Sequence, residues 1–213
     1  MDIPKLISNA KDEVRIHLGP NIQFDLNGGY KQSIEQYIRQ YVAAILVNFT
    51  DWIGKTLPWV RSPEARFALQ DNLRCEQQDD HIGLLEAFAT LCNARPTDKD
   101  YLHVIGAVNR VRDLLRDTNL AGLTGTTVLT ILENTSEVFI PNLKQAGRIL
   151  GCTDFRYTDV HGVADAEHSG ALIKALTHEF SAGYGSDADL WVEQAVDESV
   201  TLIKRIFTLP SRL

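Results

Sequence analysis

The sequence lacks two features of proteins that act on membranes or nucleic acids: a long apolar run and an excess of basic residues. None of its hydrophobic stretches approaches the roughly 18 residues that a membrane-spanning helix needs. Its 21 Lys and Arg are outnumbered by 28 Asp and Glu, which gives a formal net charge of −7, and no Lys/Arg cluster stands out. Because phosphate binding depends on such clusters, we expect neither a nucleic acid nor a membrane as a partner.

Cysteine is also scarce. The three cysteines, Cys75, Cys92 and Cys152, are odd in number and far apart, so they form neither a Cys-x-x-Cys metal clip nor a disulfide framework. We expect them to be small buried apolar residues. The stretch from Met1 to Lys5 lacks the basic and apolar regions of a secretory signal. These observations predict a cytoplasmic protein.

The pattern of apolar residues shows neither strand alternation nor an internal repeat. A length of 213 residues, with 44% hydrophobic and 23% charged residues, is typical of one soluble domain, here residues 1–213. Apolar residues recur at spacings of three and four, which predicts an all-α, single-domain bundle of about seven helices. The predicted helices are 3–18, 31–56, 63–94, 97–118, 128–150, 157–182 and 186–207.

Three residues with metal-ligand side chains lie close together in the predicted helix 157–182. At about 100° per residue, Asp165 points about +40° and His168 about −20° from the direction of His161, so all three share one helix face. Imidazole and carboxylate together suit iron or zinc better than calcium or magnesium. A solvated helix face with two incidental histidines is the alternative, and it explains a single histidine better than three ligand types in register.

A polar segment from Glu76 to His81 interrupts the apolar pattern of the predicted helix 63–94. Glu76 and Asp80 share a face, whereas Glu76 and His81 are about 140° apart on a regular helix. Glu76 and His81 can therefore reach one site only if the helix is distorted between them. A π-bulge, which is frequent at functional sites, is one such distortion. The alternative is an acidic turn that faces solvent.

A third candidate ligand lies in the predicted helix 128–150. Pro141 removes the hydrogen bond to the carbonyl of Glu137 and predicts a kink there. Neighbouring apolar residues suggest that Glu137 is buried, and a buried carboxylate is costly without a metal ion or a salt-bridge partner. We favour the metal. Glu133, one turn earlier, is a weaker candidate.

Together these motifs resemble the haem-oxygenase-like diiron oxidase and oxygenase family over residues 63–185. The most specific part is His161-x3-Asp165-x2-His168, preceded by Glu137 and by a segment containing Asn72, Glu76 and His81. The five residues from Glu76 to His81 are fewer than the family usually has, so Asp80 is kept as a substitute for Glu76. The metal ligands that the resemblance implies are Glu76, His81, Glu137, His161, Asp165 and His168.

The resemblance implies an enzyme in which two Fe(II) ions activate dioxygen to oxidise a small molecule. We expect an amine or an amino-acid-derived substrate in a specialised biosynthetic pathway, with N-oxygenation, oxidative C–C cleavage or nitrile-type chemistry as the outcome. An external electron donor and a homodimer are compatible with the sequence, which identifies neither.

Three alternative functions remain. The chain could be a fatty-acid oxidative decarboxylase of the same family, or a metal-free helical interaction protein whose acidic clusters are only solvated. It could also belong to the thiaminase-like branch of the fold, which uses a Cys nucleophile without a metal. That chemistry requires a thiol with a lowered pKa, and Cys75 instead adjoins the acidic Glu76.

Overall fold

The all-α prediction is confirmed by a computed structural model of the chain. The structure describes residues 1–19 and 30–208, except for the side chains of Tyr30 and residues 163–167. Nine α-helices and one short 3₁₀ helix, Leu57–Trp59, make up this part of the chain, and it contains no strand. The α-helices are α1 Ile3–Leu18, α2 Tyr30–Ile45, α3 Asn48–Thr56, α4 Pro63–Gln78, α5 His81–Leu91, α6 Asp98–Leu114, α7 Ala121–Ile149, α8 Arg156–Phe180 and α9 Ala188–Ile206.

More helices form than predicted, because two of the predicted long helices are broken. The first divides into α2 and α3 at residues 46 and 47, and the second divides into α4 and α5 at Asp79 and Asp80. Asp80 adopts the left-handed conformation, with φ 51° and ψ 47°, which a right-handed helix cannot contain. The distortion that the sequence requires between Glu76 and His81 is therefore a complete break between two helices, and not a π-bulge.

The start of α7 differs from prediction in the opposite direction. The predicted helices 97–118 and 128–150 leave a gap that contains Gly122 and Gly125, yet both glycines lie inside α7. A Cβ atom at Gly122 would collide with the Trp59 carbonyl oxygen, and one at Gly125 would collide with the Thr56 side chain. The glycines thus allow α7 to pack directly against the end of α3 and the 3₁₀ helix.

The long helix α7 runs through the core, and every residue from Ala121 to Ser136 is buried. Beside it, α8 is joined to the start of α4 by Glu179, which is fully buried. The Glu179 carboxylate accepts hydrogen bonds from the backbone N–H groups of Arg61 (2.8 Å) and Ser62 (2.7 Å). Ser62 in turn caps α4 by accepting a hydrogen bond from Ala65 N at 3.0 Å, as serine commonly does at the start of a helix.

Helices α4 and α8 pack antiparallel, with the first turn of α4 beside the last turn of α8. Glu64 Oε2 lies 3.9 Å from His178 Nδ1 at this end. At the other end, the last turn of α4 lies beside the first turns of α8. No helix among the residues described is both long and apolar enough to cross a membrane.

Candidate metal centre

Three of the predicted ligands converge at the far end of this helix pair. Glu76 comes from the last turn of α4, His81 is the first residue of α5, and His161 lies in α8. One donor atom from each lies within 4.8 Å of the other two. His81 Nδ1 is 2.8 Å from Glu76 Oε1, and the two imidazole rings are 4.6 Å apart between centroids. Glu76 and His81 are buried, and His161 is partly buried.

The break between α4 and α5 makes this convergence geometrically feasible. On one regular helix the side chains of Glu76 and His81 would diverge by about 140°. After the left-handed Asp80, a new helix begins at His81 and redirects the imidazole toward Glu76. Asp80 itself is exposed and caps α5, accepting from Gly83 N at 3.2 Å. The structure thus places Glu76, and not its substitute Asp80, beside His81.

Helix α7 contributes Glu133 to the same pocket as Glu76, His81 and His161. Its side chain is only 4% exposed, and Oε1 accepts a hydrogen bond from Asn72 Nδ2 at 2.7 Å. The same oxygen is 4.0 Å from His168 Nδ1. Glu133, the weaker candidate in the sequence, is therefore the α7 carboxylate that lines the pocket of this group.

Glu137 lies one turn further along α7, outside this group. Its side chain is 57% exposed, and Oε1 pairs with Lys11 Nζ at 3.0 Å and Arg15 Nη2 at 3.6 Å. The expectation of a buried carboxylate at Glu137 is corrected, because α1 brings two cations to it. Pro141 remains inside the continuous helix α7.

The other two predicted ligands lie further along α8. The side chain of Asp165 lies outside the described residues. His168 is 13% exposed and belongs to a second group, in which donor atoms of Asp71, Cys75 and His168 lie within 4.8 Å of one another. Burial, followed by the negative charge of Asp71, raises the pKa of the Cys75 thiol.

An apolar pocket opens beside the first group of ligands. Two tyrosines line it, Tyr41 and Tyr157, and their hydroxyl oxygens are 2.6 Å apart. The Tyr157 ring packs on the His161 imidazole, with 4.5 Å between centroids. The apolar lining includes Ile45, Phe49, Ile82, Leu85, Phe139 and Ile140.

The donor set fits a transition-metal ion. Glu76 and Glu133 are buried carboxylates that line the same pocket, and a bound cation lowers the cost of burying such charges. The imidazoles of His81 and His161 supply the nitrogen donors that iron and zinc accept. The residues present therefore suit an iron ion.

Comparison with known proteins agrees with this chemistry. A family model described as an iron-containing redox enzyme matches residues 35–195, which is about three quarters of the chain. No curated protein matches the chain. Because the match covers far more than half of the sequence, the chain belongs to this iron-containing redox enzyme family, in agreement with its haem-oxygenase-like motifs.

Proposed function

We propose that this iron-dependent oxidoreductase holds two iron ions and uses dioxygen to oxidise a small amine or an amino-acid-derived molecule. The observation that carries the proposal is the convergence of Glu76, His81, Glu133 and His161, which come from four different helices. Two carboxylates and two imidazoles that line one pocket provide the nitrogen and oxygen donors of a non-haem iron site.

The ligands divide into two positions. Glu76, His81 and His161 would hold one iron, and His168 would bind the other. Glu133 lies between them, since it lines the pocket of the first group and its carboxylate is 4.0 Å from His168. Asp165 remains a predicted ligand of the second position, whereas Glu133 takes the place that the sequence assigned to Glu137.

Bound iron would supply the reduction of dioxygen, with the electrons coming from the substrate or from an external donor. The protein provides a largely apolar and oriented environment for this reaction. The buried Tyr157 ring supports the His161 imidazole, and its hydroxyl is held by Tyr41. Apolar side chains around the pocket would limit the access of water, which protects reactive species from side reactions.

A second candidate, oxidation of a fatty acid by the same centre, has support from the pocket lining. Among the described residues that line the pocket there is no Lys or Arg that would bind the carboxylate of an amino acid. Isoleucines, leucines and phenylalanines instead suit an alkyl chain. We therefore expect a substrate with a substantial apolar part, whichever class it belongs to.

Anaerobic titration with Fe(II), followed by exposure to dioxygen, tests the proposal. We expect two equivalents of bound iron, their oxidation by dioxygen, and faster oxygen consumption when the correct amine, amino acid or fatty acid is added. The metal-free interaction protein predicts a different result. In that case iron does not bind, and the His161→Ala variant has the same stability as the wild type with or without iron.

A further inference from the structure

We propose that Cys75 provides a thiolate ligand to the second metal position, together with Asp71 and His168. This inference deepens the proposed two-metal centre and rests on it in one respect, the assignment of His168 to the second ion. It makes the two positions chemically different. The first has only nitrogen and oxygen donors, whereas the second also has sulfur.

The packing of α4 on α8 creates this position. Asp71 and Cys75 are four residues apart, so they lie on one face of α4, about one turn from each other. Because the two helices run antiparallel, this face meets the middle of α8, where His168 lies. Donor atoms of the three side chains lie within 4.8 Å of one another.

In an occupied site the donors are closer together than this limit of 4.8 Å. With zinc bonds of about 2.3 Å to sulfur and about 2.0 Å to nitrogen, tetrahedral geometry places the two donors roughly 3.5 Å apart. Side-chain movements that draw the three donors together would therefore enclose an ion. The thiol loses its proton to solvent as the metal–sulfur bond forms, so metal binding releases one proton.

A fourth donor is already close to this group. Glu133 Oε1 lies 4.0 Å from His168 Nδ1, on the side of the first metal position. On the other side, Asp71 Oδ1 accepts a hydrogen bond from Arg74, whose side chain is 60% exposed. All three members of the group are only partly buried, which gives an ion a path from solvent.

Adjacent residues of α4 thus serve different positions. Glu76 points to His81, and Cys75 points to His168, because successive side chains on a helix diverge by about 100°. Thiolate and imidazole donors favour zinc and similar ions over magnesium or calcium. The second position, which the proposed function fills with iron, should therefore also accept cobalt or zinc as a probe ion, without help from the first position.

Anaerobic titration with Co(II) tests the inference, because cobalt bound to a thiolate has a near-ultraviolet sulfur-to-metal absorption band. We expect this band in the wild type, its loss in Cys75→Ser and in His168→Ala, and its retention in His161→Ala. The matched control is Cys152→Ser, which removes a buried cysteine outside the group and should keep the band. Zinc affinity, measured by competition with cobalt, should fall at least about tenfold in Cys75→Ser.

Circular dichroism is used to check that each variant is folded. Absence of the band in the wild type, or its persistence in folded Cys75→Ser, would overturn the inference. Failure of the proposed function looks different. In that case the thiolate band appears as expected, but Fe(II) bound to the protein does not react with dioxygen.

Discussion

The assignment of Glu133 in place of Glu137 can be tested with two variants of the same helix. Glu133→Gln removes a buried negative charge while it keeps the size of the side chain and an oxygen that can accept from Asn72. Glu137→Gln removes an exposed charge that pairs with Lys11 and Arg15. Both changes are equally conservative, so they differ only in the environment of the carboxylate.

The expected magnitude follows from linkage between binding and folding. Fe(II) at one hundred times its dissociation constant stabilises the wild-type fold by about 2.7 kcal/mol. If the loss of one carboxylate ligand weakens binding about a hundredfold, the same iron concentration stabilises Glu133→Gln by only about 0.4 kcal/mol. For a chain of this size the difference of about 2.3 kcal/mol corresponds to roughly 5 to 9 °C in Tm.

The assay is anaerobic thermal unfolding with and without Fe(II). Without iron, Glu133→Gln should be about as stable as the wild type, because glutamine keeps the size of the side chain and the oxygen that accepts from Asn72. Glu137→Gln should lose at most about 1 kcal/mol, as for other exposed ion pairs, and should keep the full increase in Tm with iron. An iron-dependent increase that survives in Glu133→Gln and disappears in Glu137→Gln would refute the reasoning.

Three further predictions concern the structure that supports the centre. Asp80→Ala should lower the free energy of unfolding, measured in urea, by about 2 kcal/mol, because it removes a helix cap and places alanine at a positive φ. The control Asp80→Asn should change this free energy little. Gly125→Ala should lower the free energy of unfolding by about 1 to 3 kcal/mol, because its methyl group overpacks the contact with Thr56. Gly170 lies in open space on α8, so Gly170→Ala should leave this free energy unchanged or raise it. Burial and the adjacent Glu179 raise the pKa of Tyr184, so this tyrosine stabilises the fold below about pH 10 and the contribution is lost as the pH rises further. Thermal unfolding across pH 9 to 12 should therefore show a steeper loss in the wild type than in Tyr184→Phe, and equal slopes would contradict this assignment.

Local sequence signals were sufficient where a helix carries its own start and stop. The predicted bounds of α1 match the structure, because Asp2 caps the helix, Pro4 lies in its first turn and Gly19 ends it. The start of α7 was missed for the opposite reason. Its glycines have low intrinsic helix propensity, but close packing against α3, which is distant in sequence, outweighs that preference.

The candidate site shows the same division between local and distant information. The sequence singled out His161 and His168 because helical periodicity places them on one face of α8, whereas the structure places them in two different groups of donor atoms. The choice between Glu133 and Glu137 could not be made in this way, since both lie on α7, one turn apart. It depends on Lys11 and Arg15, which are more than a hundred residues earlier in the chain and neutralise Glu137 at the surface.

The break at Asp79 and Asp80 was predicted only in part, and it determines how Glu76 and His81 meet. The spacing of Glu76 and His81 required a distortion, which the sequence located correctly, but only the left-handed Asp80 explains how one helix becomes two. Because α5 restarts at His81, its imidazole turns to Glu76 while Cys75 keeps its regular helical direction toward His168. The irregular Asp80 thus brings His81 to Glu76, while the regular helical step between Cys75 and Glu76 directs their side chains to two different groups of donor atoms.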